Sequence, residues 1–124
     1  MEDQTSQRRI SVLMFPTEKR EFAAMPLGLS TFTVQPTLQE ALDAITSLIN
    51  GNIVSCLEER IPPHKIFGTA EPKFREIFEH SQPYVYQAVL HPEVQKLVSG
   101  VDYRVSDEAI DNDAFSRYLK GETQ

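Results

Sequence analysis

Residues 37–60 read TLQEALDAITSLINGNIVSCLEER. Their apolar members Leu38, Ala41, Leu42, Ile45, Leu48, Ile49, Ile53, Cys56 and Leu57 recur in steps of one, three and four. That spacing lines one face of an amphipathic α-helix. Thr37 can cap the free N–H groups of the first turn, and Glu40, three residues on, completes the capping-box pattern. Loss of that cap by Thr37→Ala is expected to cost about 1 kcal/mol. Pro36 keeps the helix from starting earlier, and Pro62-Pro63 keep it from running on. Gly51 sits mid-pattern, where glycine costs about 1 kcal/mol relative to alanine. The periodicity passes through it in phase, so one helix with a weak point is expected. At about 1.5 Å per residue such a rod is roughly 36 Å long, and a compact chain of this size is about 35 Å across. The helix should span the molecule.

Before it, RRISVLMFPTEKREFAAMP (8–26) reads as two strands around a turn. Ile10 to Phe15 is almost continuously apolar, which suits a strand covered on both faces. Pro16-Thr17-Glu18-Lys19 is turn chemistry, and Glu21 to Met25 returns antiparallel. After the break at Pro26-Leu27-Gly28, Leu29 to Val34 is β-branched and aromatic, a third strand of an antiparallel meander.

Beyond the long helix, His64 to Phe67 reads as a fourth, short strand. Glu71-Pro72 opens a helix with Phe74, Ile77 and Phe78 on one side. Tyr84 to Leu90 fits helix and strand equally. Pro92 starts another helical segment, with Val94, Leu97 and Val98 as its stripe and Gly100 as its stop. Val101 to Val105 is extended. Ser106 caps a last helix, with Ile110, Ala114, Tyr118 and Leu119 facing inward. The expected fold is one α+β domain over 1–124. Residues 1–8 are frayed, 9–67 form a three- to four-stranded antiparallel sheet covered by one long helix, and 68–124 are a mainly helical extension.

The 124 residues carry a net charge of −6. Broad phosphate contact needs a basic surface, so nucleic-acid binding is disfavoured. The acid excess sits on the long helix and the tail: four acids against one base in 37–60, six against three in 101–124. No apolar run approaches the roughly 20 residues needed to cross a bilayer, and the N-terminus has no signal-peptide run. A cytoplasmic location follows, or host cytoplasm for a viral chain. Cys56 is the one cysteine, placed on the apolar helix face as a buried structural thiol.

The order strand, strand, strand, long helix, short strand resembles the HicB-type antitoxin domain, whose sheet and helix are similar to a partial ribonuclease H fold. Met25-Pro26-Leu27-Gly28, Thr37-Leu38-Gln39-Glu40-Ala41-Leu42 and Ile61-Pro62-Pro63 carry the likeness, over residues 9–67. The 28–37 segment is a residue or two longer than the family pattern, and the glycine just before the helix is missing. The resemblance implies a regulatory protein that works by protein contact. Family members often add a DNA-binding module, and the acidic tail here shows none.

Motifs for catalysis or cofactors are absent. The five glycines form neither a dinucleotide fingerprint nor a phosphate loop. His64, His80 and His91 lie far apart, and one cysteine cannot complete a usual zinc set. Asp111-Asn112-Asp113 echoes a calcium loop, but Phe115 stands where an oxygen is needed and Ser116 replaces the turn glycine. Ribonuclease H-like chemistry needs several acids at a sheet edge for magnesium, and the strands offer only Glu18 and Glu21. No catalytic, cofactor or metal residues are assigned.

What the second half does hold is aromatic: Phe67, Phe74, Phe78, Tyr84, Tyr86, Tyr103, Phe115 and Tyr118. These can pack helices on the sheet, or present a partner surface, since tyrosine offers contact area with a polar tip. Tyr84, Tyr86, Tyr103 and Tyr118 are the candidate partner-binding residues. The expected function is a small non-catalytic protein-binding or regulatory protein, antitoxin-like or inhibitor-like. A homodimer is expected from the long helix and an open sheet edge. Two alternatives stand beside it: a nucleic-acid-binding regulator using Arg8, Arg9, Lys19 and Arg20 around the first hairpin, and a small enzyme whose site the fold assembles.

Overall fold

A computed structural model describes residues 8–107. In chain order the elements are β1 (Arg8–Pro16), β2 (Phe22–Pro26), β3 (Thr33–Gln35), α1 (Leu38–Glu58), α2 (Pro63–Ile66), α3 (Pro72–Glu79), β4 (Gln82–Tyr84), α4 (Pro92–Gln95) and β5 (Val98–Val105). The expected helix after Ser106, with Tyr118, lies outside the described residues.

The chain is α+β, with a five-stranded mixed sheet in the order β3-β2-β1-β5-β4. The N-terminal meander forms as expected: Leu13 pairs with Met25 across the first hairpin, and Ala23 with Val34 across the second. The third strand is shorter than its composition suggests, three residues rather than six. The first half of LSTFTV is spent on the turn after Gly28, whose φ of 92° is left-handed. Gly28 also meets Gly68: the Gly68 N–H donates to the Gly28 carbonyl at 2.7 Å.

α1 is one unbroken helix through Gly51. Thr37 caps it, its hydroxyl oxygen accepting the Glu40 N–H at 3.1 Å while the hydroxyl donates to the Glu40 carboxylate at 3.0 Å. Ala41, Leu42, Ile45, Ile49 and Ile53 are fully buried against Ile10, Val12 and Met14 of β1 and Ala24 of β2. Leu48, counted on the apolar face, is 40% exposed. Thr46 is buried in its place. Cys56 is half-buried against the same core.

The alternate side chains of β1 pack the other way. Leu13 and Phe15 join Ala23, Met25, Leu27, Phe74 and Phe78 beneath α3. So β1 is covered on both faces, by α1 and by α3, as its continuous apolar run requires.

Three expectations for the second half are corrected. His64 to Phe67 is not a strand: Pro63 sits at the first helical position, and residues 63–66 form one helical turn. The helix begun by Pro92 ends at Gln95, and Val98 to Gly100 belong to β5. Among its described residues, 68–107, the half is therefore not mainly helical. It supplies β5, which runs parallel to β1 with Val12 opposite Tyr103, and β4, which pairs antiparallel with β5. The sheet is five-stranded and mixed where three or four antiparallel strands were expected. Gly100 stops no helix: the Arg9 guanidinium lies where its Cβ would be, 2.6 Å from Nη1, so this strand position tolerates no side chain without moving Arg9.

Candidate protein-contact surface

Between Tyr84 and His91 the chain leaves the sheet and runs as an irregular strap past α1. Its exposure alternates. Tyr86, Ala88 and Leu90 are partly buried against the main core. Val85 is 97% and Val89 81% exposed, with Gln87 exposed between them. A period of two is the signature of extended backbone with one face inward.

Polar contacts fix the strap at both ends. The Tyr86 hydroxyl donates to the Asp43 carboxylate on α1 at 2.6 Å. The Asn50 side chain, also on α1, donates from Nδ2 to the Val89 carbonyl at 2.9 Å and accepts the His91 N–H on Oδ1 at 2.8 Å. Gln95 of α4 donates to the Leu90 carbonyl at 2.8 Å. The His91 ring accepts the Glu93 N–H on Nδ1 at 3.0 Å, capping α4. The hydrogen bond to the Asp43 carboxylate, then burial, then that negative charge push the Tyr86 hydroxyl up to about 12.

The tyrosines singled out in the sequence divide. Tyr84, 39% exposed, ends the edge strand β4. Tyr86 turns inward and meets the Tyr103 ring edge to face, centroids 5.2 Å apart. Tyr103 is buried in the core and offers no area to a partner. Thr46 Oγ1 has one proton, which goes to the Leu42 carbonyl at 2.8 Å, so the Tyr103 hydroxyl donates to Thr46 at 2.7 Å. Burial pushes the Tyr103 hydroxyl up from its ordinary value. The exposed members missed in the sequence are Val85 and Val89. Read as a helix, 84–90 puts both valines on the packed face, and only the fold shows them facing out.

The four basic residues do not form a cluster. Arg8 and Arg9 begin β1, whereas Lys19 and Arg20 lie in the turn beyond its other end. The eight residue steps of β1, at about 3.3 Å each, put roughly 26 Å between the pairs. Arg8 is also engaged over the Phe67 ring, 4.3 Å from its centroid. Arg9 holds Asp102 with two bonds of 2.9 and 2.8 Å, which, with its charge, keep that carboxyl below the usual range.

An open groove of about 560 Å3 lies between the strap and the first half of β5, lined by Arg9, Tyr86, Gln87, Ala88, Leu90, Gln95 and residues 98–101. A second of about 370 Å3 lies at the end of α3, with Glu76, His80, Ser81, Gln82, Ser106 and Asp107 among its walls. His80 ends α3 and bonds the Glu76 carbonyl through Nδ1 at 3.0 Å, which requires the proton on that nitrogen. Arg104 caps the same helix end, donating to the Phe78 and Glu79 carbonyls at 3.3 and 3.1 Å. Among the described residues no three His, Cys, Asp or Glu gather as a metal would need, and no helix is long and apolar enough to cross a membrane. Comparison with protein-family models, curated proteins and solved structures gives no match.

Proposed function

We propose that this chain is a small non-catalytic protein-binding or regulatory protein of the cytoplasm, antitoxin-like or inhibitor-like, that works through the strap and forms a homodimer. One observation carries the reading: Val85 and Val89 stand almost wholly in water on a segment fixed at both ends. Exposing one valine on a loose loop is ordinary. Holding two in place, on one side of an extended segment, prepares an apolar contact without a later ordering cost. Burying each would contribute about 1.5–3 kcal/mol. The likeness of residues 9–67 to the HicB-type domain belongs to this proposal. The meander followed by the capped α1 agrees with it, and the helical turn at Pro63–Ile66 departs from it.

The test is affinity purification of the tagged chain from its native host, wild type against Val85→Asp/Val89→Asp. The expected result is a protein recovered in stoichiometric amount with wild type and lost with the variant, whose unfolding midpoint is unchanged. Equal recovery with both overturns the reading.

A further inference from the structure

β5 is paired with β1 along its whole length, Val98 to Val105, but with β4 only from Tyr103 to Val105. From Val98 to Asp102 no strand among the described residues lies beside its second side. The chain that would have continued β4 swings out as the strap instead, and the groove of about 560 Å3 opens between the two. Among the described residues, no backbone hydrogen bond joins Tyr86, Gln87 or Ala88 to the rest of the chain.

The polar groups of the strap alternate in direction as those of a strand do. The Val89 carbonyl and the His91 N–H both turn to Asn50, and the Leu90 carbonyl turns the other way, to Gln95 on the groove side. The same alternation directs the N–H and C=O groups of Tyr86 and Ala88 toward the groove. Among the described residues, the groove thus has unpaired backbone on both walls. Among the described residues its one charged lining residue is Arg9, in a chain of net charge −6. Asp102 occupies Nε and Nη2 of that guanidinium and leaves Nη1.

We propose that this groove is a strand acceptor: it takes an extended peptide segment of a partner protein, whose backbone pairs with residues 98–102 on one side and 86–88 on the other, and whose acidic side chain meets Arg9. Main-chain pairing gives such a site its affinity and the side chains its selectivity. The inference rests on the strap as a contact surface and names what that surface holds.

The probe is a random seven-residue peptide library selected on the immobilised wild-type chain. Selected peptides are expected to be β-branched with one Asp or Glu, and to protect the amides of Tyr86 and Ala88 and alternate amides of residues 98–101 from exchange. N-methylation of alternate peptide nitrogens should abolish binding. Arg9→Gln should weaken binding about tenfold, an interaction of about 1.4 kcal/mol. Asp102→Asn should strengthen it several-fold by releasing Arg9, the opposite of what damage to the strand would do. No selected binder, binders indifferent to both substitutions, or protection elsewhere overturns the inference. If the groove takes no peptide while Val85→Asp/Val89→Asp still loses the host protein, the strand acceptor falls and the contact surface stands.

Discussion

Asn50→Ala tests whether the strap is held or merely lies nearby. The substitution removes the amide that donates to the Val89 carbonyl and accepts the His91 N–H. Each such bond is worth a net of about 0.5–1.5 kcal/mol. Both sit at the exposed side of the strap, where water can replace the lost partner, so the pair is worth about 1–2 kcal/mol. Alanine also improves the helix by up to about 0.7 kcal/mol over asparagine. The net expectation is a destabilisation of about 1 kcal/mol. Asn52, on the same helix, makes no side-chain hydrogen bond among the described residues, so Asn52→Ala reads the propensity gain alone. Urea unfolding of the two variants should differ by about 1–2 kcal/mol, with faster amide exchange at His91 only in Asn50→Ala. Variants of equal stability, or an unchanged strap in Asn50→Ala, would refute the clamp.

Gly51→Ala should stabilise α1 by about 1 kcal/mol, since a Cβ there meets nothing within 4 Å. Thermal melting should show a rise of about 4 °C. Gly28→Ala and Gly68→Ala should part company in the same assay. A Cβ on Gly28 would lie 2.7 Å from the Gly68 carbonyl oxygen at a φ of 92°, whereas one on Gly68 would find ordinary contact at 3.6 Å. The first is expected to cost about 2 kcal/mol or more, the second to be nearly neutral. Ultraviolet titration should find one tyrosine ionising near 12, and Asp43→Asn should lower it toward 10. The raised hydroxyl favours the folded state below the unfolded value near 10, and that contribution is lost as pH rises through about 12.

Much of the first half was legible because its signals are local. The Thr37 cap, the apolar stripe of α1 and the Pro16 turn each act within a few residues. Even the two-sided burial of β1 showed in its run of apolar residues. The second half hid its plan. Val94, Leu97 and Val98 fit a helical stripe, and the strand that took Val98 is specified by pairing with Arg8 and its successors, about ninety residues earlier in the chain. Gly100 resembles a helix stop, while its role, leaving room for Arg9, depends on that pairing. The groove was illegible for the same reason. It exists because β4 stops pairing at Tyr84 while β5 continues to Val98, and no residue type marks that divergence.

Sedimentation velocity on the purified chain, from low to high micromolar concentration, bears most directly on a homodimer that leaves the strap free for its partner. Wild type should pass from monomer to dimer, more readily at high salt because each copy carries −6. Val85→Asp/Val89→Asp should dimerise as wild type does, because these valines face the partner protein and not the second copy. Wild type that stays monomeric at every concentration and salt, or a dimer lost with the two substitutions, would contradict the account.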